Sequence, residues 1–232
     1  MSAALQPESS PHESDGRRVV LFDFDGTLVH GDAYTMFIRT RYRRGWWRVL
    51  PALLISPALL PMTLLRRGRL AIARVLVRIA LFGVSESRHR ALVETFGRQL
   101  AREARLFSRM GVTALRQHVH RGDRVLIVTA CEETLAAAIL DELGLGEIEL
   151  IGSRLAPGPL GLRVQVHNIG AEKLRQLALR GIHPPWDIAI SDSLVDLPIL
   201  TKAGEPILVN PDRRMLKRAS VLGKRPGIAE WD

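Results

Sequence analysis

The sequence is poor in the residue that builds disulfide-linked and cysteine-bound zinc folds. Its 232 residues include a single cysteine, Cys131. One cysteine excludes a disulfide framework within the chain and makes a cysteine-based zinc site a poor interpretation. This composition is typical of a protein from a reducing compartment. The first 17 residues are polar and lack the apolar core of a secretory signal, which predicts a disordered tail over residues 1–17.

Acidic residues are missing from one long stretch of the chain. Residues 33–85 contain no Asp or Glu and hold ten arginines. Because the formal net charge of the whole chain is +9, the residues outside this stretch are together close to neutral. A positive charge confined to one segment favours an acidic partner, such as a membrane surface, a nucleic acid or an anionic substrate.

Short apolar runs alternate with helical patterns over most of the remaining chain. Strands are predicted at residues 18–23, 124–129, 147–151, 187–191 and 206–209, with a turn-rich loop at 157–161 before another possible strand. Helices are predicted at residues 132–143 and 171–180, each followed by a glycine. This alternation predicts an α/β fold, in which a Rossmann-like parallel sheet carries helices on both faces. We expect residues 18–32 and 110–232 to form this core, and residues 33–109 to form an inserted α-helical cap.

Polar side chains lie at the ends of three predicted strands. Asp23, Thr129 and Asp192 each stand at a carboxyl end. In open α/β sheets the ligand binds in the crevice at that edge. We therefore expect these three residues to meet in one site.

Four motifs in order give these residues a chemical interpretation. They are Asp23-Phe24-Asp25-Gly26-Thr27, then Thr129, then Lys173 in the first turn of a helix, then the acidic run from Ser191 to Pro198 that includes Asp192 and Asp196. Together they resemble the four signatures of the haloacid dehalogenase-like superfamily, over residues 19 to about 212. Ser191 departs from the pattern, since many members carry Gly at that position.

The resemblance implies a phosphatase that works through a phospho-aspartate. Asp23 would attack phosphorus, and Asp25 would protonate the leaving oxygen and then activate water. Thr129 and Ala130 would bind the phosphate, and Lys173 would neutralise its charge. A carboxylate at Asp25 favours phosphatase or phosphomutase chemistry, because dehalogenases need no leaving-group acid there.

The resemblance also implies a Mg²⁺ cofactor. The carboxylates of Asp23 and Asp192 and the backbone carbonyl of Asp25 would supply hard oxygen ligands. Asp196 would act as a nearby ligand or as a carboxylate that supports the ligands. The histidines have no role in this scheme, and we expect His118 to lie on a solvent-exposed face.

The inserted segment contains an unusual apolar run. Residues 49–65 carry no charge, with aromatic residues and arginines before them and arginines after them. An apolar run with arginines on both sides and aromatic residues before it is typical of a membrane interface. The run is short for a span and contains three prolines, so residues 46–69 are predicted to form an interfacial or re-entrant anchor. The alternative is an apolar run buried against the core.

The order of these features resembles the phosphatidylglycerophosphatase C family of the superfamily's helical-cap branch (subfamily IB). That resemblance implies dephosphorylation of phosphatidylglycerol phosphate at the cytoplasmic face of a bacterial inner membrane, with an anionic phospholipid and the membrane surface as partners. The alternative is a soluble, cytoplasmic phosphatase similar to phosphoserine phosphatase. A nucleic-acid-binding protein is disfavoured, because it would leave the carboxylate set unexplained.

Overall fold

The computed structural model describes residues 16–51, 53, 54 and 66–231. These residues form a seven-stranded sheet with the order β4-β3-β2-β1-β5-β6-β7. The strands are β1 Val19–Phe22, β2 Arg124–Glu132, β3 Glu149–Gly158, β4 Gly161–Val166, β5 Trp186–Ser191, β6 Ala203–Val209 and β7 Gly227–Ala229. All neighbouring strands pair in parallel except β3 and β4, which form an antiparallel hairpin. The predicted α/β fold is confirmed, with a sheet that is mixed at one edge.

Helices cover both faces of this sheet. Within the described residues they are α1 Ala33–Arg44, α2 Arg66–Ala80, α3 Glu86–Ala101, α4 Arg109–His120, α5 Glu133–Glu142, α6 Ala171–Ala178, α7 Leu197–Leu200 and α8 Arg213–Arg218. The strands place alternate side chains in two separate apolar clusters, because successive side chains point to opposite faces. In β1, Val20 and Phe22 belong to one cluster and Leu21 to the other.

The hairpin at the sheet edge differs from the predicted loop at residues 157–161. β3 continues through Pro157 to Gly158, and the turn is confined to two residues before β4 begins at Gly161. Pro157 lies beyond Ser153, the last residue of β3 paired with β2, so β3 pairs at this point with β4 alone and a proline is tolerated. The short strand β7 was not predicted, since its three residues carry too little pattern to indicate a strand.

The inserted segment is helical where the structure describes it. Asp32 begins α1 by accepting a hydrogen bond of 2.6 Å from the Thr35 amide, and Ser85 begins α3 by accepting one from the Arg88 amide. Gly97 lets α3 pack closely on α5, because a Cβ at this position would lie 2.9 Å from the Ala138 Cβ. The predicted division into a core and a cap stays a prediction.

The predicted anchor at residues 46–69 lies partly outside the described residues, which omit 52 and 55–65. In the part of the chain that the structure describes, no helix is long and apolar enough to cross a membrane. Several apolar side chains in the described part are exposed, among them Trp47, Leu50 and Leu54. The Arg48 guanidinium carbon lies 4.2 Å from the centre of the Trp47 ring.

The expectation of a solvent-exposed His118 is wrong. Its side chain is buried under β1, edge-on to the Phe22 ring, and Nδ1 lies 2.7 Å from the Asp123 Oδ2. The sequence did not reveal this, because the partner carboxylate belongs to the turn after α4. His118 is therefore a buried residue that Asp123 and the Phe22 ring hold in place.

Candidate active site

Asp23 lies directly after the central strand. β1 is flanked on both sides by parallel strands, and the Asp23 amide continues this pairing with a 2.9 Å hydrogen bond to the Ile190 carbonyl of β5. The Asp23 side chain is buried, with 6% of the residue exposed. A carboxylate at this point is held by the sheet itself, which makes its position rigid.

Lys173 places its ammonium group between two carboxylates. Its Nζ lies 2.9 Å from Asp23 Oδ1 and 2.7 Å from Asp196 Oδ2, and only 2% of the residue is exposed. Burial alone would lower the pKa of Lys173, but the two carboxylates outweigh it and hold its pKa above the ordinary value. The lysine is therefore charged and fixed in place.

Ser191 and Asp196 complete this network from the other side. The Ser191 Oγ donates to Asp196 Oδ2 over 2.8 Å and accepts a 3.1 Å hydrogen bond from the Ser193 amide. The Ser191 Oγ also lies 3.5 Å from Asp23 Oδ2. Asp196, predicted as a metal ligand or its support, is held by Lys173 and Ser191. The serine that departs from the family pattern thus has a specific place in this site.

Asp25 lies at the amino end of α1. Its Oδ1 accepts a 2.9 Å hydrogen bond from the Ala33 amide, the first residue of the helix. Burial raises the pKa of Asp25 to about 7, although this hydrogen bond acts in the opposite direction. A carboxyl group with this pKa is present in both its acid and its base form near neutral pH. Asp25 can therefore donate and accept a proton, as the sequence interpretation requires.

Asp192 approaches the backbone of Gly26 very closely. A Cβ built on Gly26 would lie only 1.9 Å from Asp192 Oδ2, and Gly26 has a φ of 77°. Both observations explain why only glycine fits here. Burial raises the pKa of Asp192 to about 6, and the charge of Asp196 adds to this effect. Asp192 is thus brought to the loop that follows Asp23.

The end of β2 at Thr129 and Ala130 is held by buried hydrogen bonds. The Thr129 Oγ1 accepts a 2.9 Å bond from the Cys131 amide, and the Ala130 carbonyl accepts a 2.7 Å bond from Ser153 Oγ. The side-chain Nδ2 of Asn168 donates to the Thr129 carbonyl over 3.0 Å. Thr129 is fully buried, while Ala130 lines the cleft. These hydrogen bonds fix the backbone at the end of β2.

These residues surround a single open cleft of about 420 Å³. It is lined by Asp23, Asp25, Gly26, Gly31, Asp32, Ala130, Ile169, Lys173, Asp192, Ser193, Val195 and Asp196. Every predicted site residue lines it except Thr129, which lies behind Ala130. Sequence reasoning did not single out Asp32 or Ile169 for this site, and it treated Ser191 only as a departure. The acid that precedes the acid-free stretch was a usable signal for Asp32, whereas the positions of the other two depend on tertiary contacts.

The cleft has more negative charge than Lys173 can balance. Burial raises the pKa of Asp23 well above its ordinary value, and Lys173 offsets only part of this effect. The raised pKa values of Asp25 and Asp192 have the same first cause. A divalent cation would relieve this imbalance. The residues therefore fit the predicted Mg²⁺ site.

The predicted ligand set also explains why no cluster of metal-binding side chains is evident. Within the described ranges, no group of three His, Cys, Asp or Glu side chains is arranged to hold a metal ion. The predicted set has only two carboxylates, those of Asp23 and Asp192, because Asp25 would contribute its backbone carbonyl. Such a set leaves the remaining positions to water and to substrate oxygens, as is usual for Mg²⁺.

Comparison with known families decides the class of this site. The model of the haloacid dehalogenase-like hydrolase family matches residues 20–201. The chain belongs to the haloacid dehalogenase-like hydrolase family. The matched range contains the whole candidate site, from Asp23 to Asp196. The hydrolase class predicted from the four motifs is confirmed at this level.

Curated relatives of this hydrolase match part of the chain. Protein CicA of Caulobacter vibrioides is 33% identical over 140 residues, which cover 59% of this chain and 59% of that protein. Phosphoserine phosphatase SerB1 of Mycobacterium tuberculosis is 33% identical over 112 residues, which cover 46% of this chain and 36% of that protein. The chain therefore aligns with less than two thirds of the length of these relatives.

Solved structures of similar fold cover nearly the whole hydrolase chain. A protein of unknown function from Bordetella pertussis Tohama I has a TM-score of 0.70 and 23% identity, covering 92% of this chain and 98% of its own. A phosphoserine phosphohydrolase-like protein from Francisella tularensis has a TM-score of 0.59 and 14% identity, covering 91% and 94%. At these identities the likeness establishes the fold.

Proposed function

We propose that this hydrolase cleaves phosphomonoesters through a phospho-aspartate formed on Asp23. The observation that carries the proposal is the arrangement around Asp23. This carboxylate is fixed at the end of the central strand, bonded to Lys173, and shares an open cleft with Asp25, whose pKa is about 7. A nucleophile, a cation and an acid–base group in one cleft are what a two-step phosphoryl transfer needs.

The first step transfers the phosphoryl group to the protein. A carboxylate oxygen of Asp23 attacks phosphorus, the bond to the ester oxygen breaks, and Asp25 gives its proton to the departing alkoxide. Lys173 holds the attacking carboxylate and stabilises charge on the phosphoryl oxygens. The end of β2 at Thr129 and Ala130 receives those oxygens, because Ala130 lines the cleft beside Asp23.

The second step returns Asp23 to its free form. Asp25, now deprotonated, takes a proton from a water molecule that attacks the phosphorus, and the bond between Asp23 and phosphorus breaks to release inorganic phosphate. Mg²⁺ held by Asp23, Asp192 and the Asp25 carbonyl would supply positive charge that lets two anions approach each other. A pKa of about 7 suits Asp25 for both of its roles.

We propose a small soluble phosphomonoester as the substrate class that the comparisons support best. One curated relative carries the name phosphoserine phosphatase, and structures of similar fold include a phosphoserine phosphohydrolase-like protein and a phospho-aspartyl intermediate analogue of phosphoserine phosphatase. Those names belong to the relatives. They favour a phosphoserine phosphatase-like activity over the lipid phosphatase that the insert predicted.

Phosphatidylglycerol phosphate is a second candidate substrate, favoured by one feature of the insert. The described residues around the acid-free stretch expose Trp47, Leu50 and Leu54, the last with 81% of its surface accessible. Neighbouring arginines in the same stretch would attract anionic head groups. A membrane-docked cap at the cytoplasmic face of the inner membrane would present such a lipid to Asp23.

Phosphate release from a panel of substrates tests both proposals. Phosphoserine, p-nitrophenyl phosphate and phosphatidylglycerol phosphate in mixed micelles are compared with and without Mg²⁺. We expect Asp23→Asn to abolish turnover while surface substitution Asp141→Asn leaves it unchanged. Trapping of a base-labile phosphoenzyme in the wild type, and not in Asp23→Asn, identifies the intermediate. Full activity of Asp23→Asn would refute the mechanism, and preference for the micellar lipid would select the second substrate.

A further inference from the structure

A second polar cavity lies beside the catalytic cleft and is not used by the mechanism. Its volume is about 440 Å³. It is lined by Arg74 of α2, Arg154 of β3, Gln165, Val166 and His167 at the end of β4, and Glu172, Arg175, Gln176 and Leu179 on and after α6. Three arginines from three different elements therefore surround one space.

A buried glutamine organises this cavity. Gln176 is 4% exposed, its Oε1 accepts a 3.2 Å hydrogen bond from Arg154 Nη2, and its Nε2 donates a 2.8 Å bond to Glu172 Oε1. Glu172 in turn lies 3.6 Å from Arg175 Nη1. Glu172, Arg175, Gln176 and Leu179 share one face of α6 at helical spacing. The guanidinium of Arg154 is thus oriented by a neutral partner that leaves its charge uncompensated.

The lining carries excess positive charge. Glu172 is its one carboxylate, and it pairs with Arg175. Among the residues that the structure describes, no carboxylate pairs with Arg74 or Arg154. Clustered guanidinium groups without counter-charges favour an anionic ligand.

The cavity adjoins the catalytic cleft through the segment that follows β4. His167 lines the cavity, Asn168 holds the Thr129 carbonyl, and Ile169 lines the cleft. Charged groups of both spaces act on His167. Burial and Arg74 of the cavity lower its pKa, whereas Asp32 of the cleft raises it. Along this segment only Asn168 separates the lining of the cavity from the lining of the cleft.

We propose that this cavity binds a phosphodiester group of the substrate, so that the hydrolysed phosphomonoester and a second phosphate are held on either side of His167. A tetrahedral phosphate can accept hydrogen bonds from several directions, whereas one guanidinium fork already satisfies a planar carboxylate. Arginines that approach from α2, β3 and α6 therefore suit a tetrahedral phosphate. This inference deepens the second of the two substrate proposals and rests on it, because phosphoserine carries no phosphodiester.

Kinetics with matched substrates test this inference. Glycerophosphoglycerol phosphate, which has a monoester and a diester, is compared with glycerol 3-phosphate, which has the monoester alone. We expect the Arg74→Gln/Arg154→Gln variant to raise KM about tenfold or more for the first substrate, as loss of charge-assisted hydrogen bonds predicts, and to leave the second unchanged. The control is Arg78→Gln/Arg163→Gln, which also removes two charges. Arg78 lies in α2, Arg163 lies in β4, the hairpin partner of β3, and neither lines the cavity.

A binding measurement keeps the inference independent of turnover. Glycerophosphoglycerol, a diester without a monoester, is titrated into the Asp23→Asn protein with and without the two cavity substitutions. Saturable binding that the cavity substitutions weaken supports the site even if no substrate is hydrolysed. Equal KM values in the kinetic test together with no binding overturn it. Arginine-dependent binding of succinate instead of the diester would replace the proposed phosphate by a carboxylate.

A further comparison of two substrates separates an effect at the head group from an effect of the acyl chains. The acylated substrate in micelles and its deacylated form contain the same two phosphates. A loss caused by Arg74→Gln/Arg154→Gln on both forms places the effect at the diester. A loss on the acylated form alone would contradict the proposed site, because it would assign these arginines to the membrane surface.

Discussion

Substitution of Lys173 by methionine tests the buried ion-pair network directly. Methionine keeps most of the side-chain volume and removes the ammonium group that contacts Asp23 and Asp196 over 2.9 and 2.7 Å. The change leaves two carboxylates, each less than a tenth exposed, without their cation. Removing one partner of a buried ion pair costs about 3–5 kcal/mol of unfolding free energy. We expect a loss of that size at pH 8 in the presence of a chelator, measured by urea unfolding.

The pH dependence of that loss has a definite sign. Without Lys173, mutual repulsion and burial raise the pKa of one carboxyl in the folded state above its unfolded value. The folded variant then binds more protons than the unfolded chain, so the lost stability returns as pH falls from 8 towards 5. The double variant Lys173→Met/Asp196→Asn removes one of the two charges and should recover part of the stability at pH 8.

Two measurements show whether this reasoning holds. Lys202→Met removes an exposed lysine and should change the unfolding free energy by no more than about 0.5 kcal/mol. If Lys173→Met behaves like Lys202→Met and shows no dependence on pH, then the Lys173 ammonium is not buried between carboxylates. No recovery in the double variant would show that Asp196 does not share its charge.

Three further predictions concern separate features. Ala33→Pro places a residue suited to the first helical turn but removes the backbone amide that donates to Asp25. We expect kcat/KM to fall about tenfold for alkyl phosphates. The fall should be smaller for p-nitrophenyl phosphate, because its leaving group needs little protonation. Burial lowers the pKa of His89 to about 4, so the unfolded chain binds more protons than the folded protein between pH 6.5 and 4. The wild type should therefore lose about 3 kcal/mol of unfolding free energy over that range. His89→Gln should remove this loss, as measured by urea unfolding. Gly26→Ala should displace Asp192 and weaken Mg²⁺ activation, at a backbone cost of about 1–2 kcal/mol.

Each of these predictions has a control or a contradicting result. Ala33→Gly keeps the amide and should leave the ratio of the two phosphate ester rates unchanged, and equal losses on both esters in Ala33→Pro would argue against an orienting role. An unchanged acid branch of the stability curve in His89→Gln would show that other groups cause it. Wild-type Mg²⁺ dependence in Gly26→Ala would contradict the close approach of Asp192.

The sequence determined the fold class and most of the site. Apolar runs ending at Asp23, Thr129 and Asp192 placed polar residues at carboxyl ends of parallel strands, and such ends share one edge of a sheet. The spacing within Asp23-Phe24-Asp25-Gly26-Thr27 brought a second carboxylate and a permissive glycine to the same turn. These are local or periodic features, so a single chain displays them without any knowledge of long-range contacts.

Only the tertiary structure decided which side chains meet across the chain. The Ser191 bond to Asp196, the burial of His118 and the cavity that joins Arg74 to Arg154 depend on how helices rotate and pack on the sheet. Hydrogen-bond partners far apart in sequence leave no periodic signal, because each is fixed by a distance in space. The resemblance of the four motifs predicted that Asp23 would be a nucleophile, whereas the structure alone placed the guanidinium groups of Arg74 and Arg154 around one cavity.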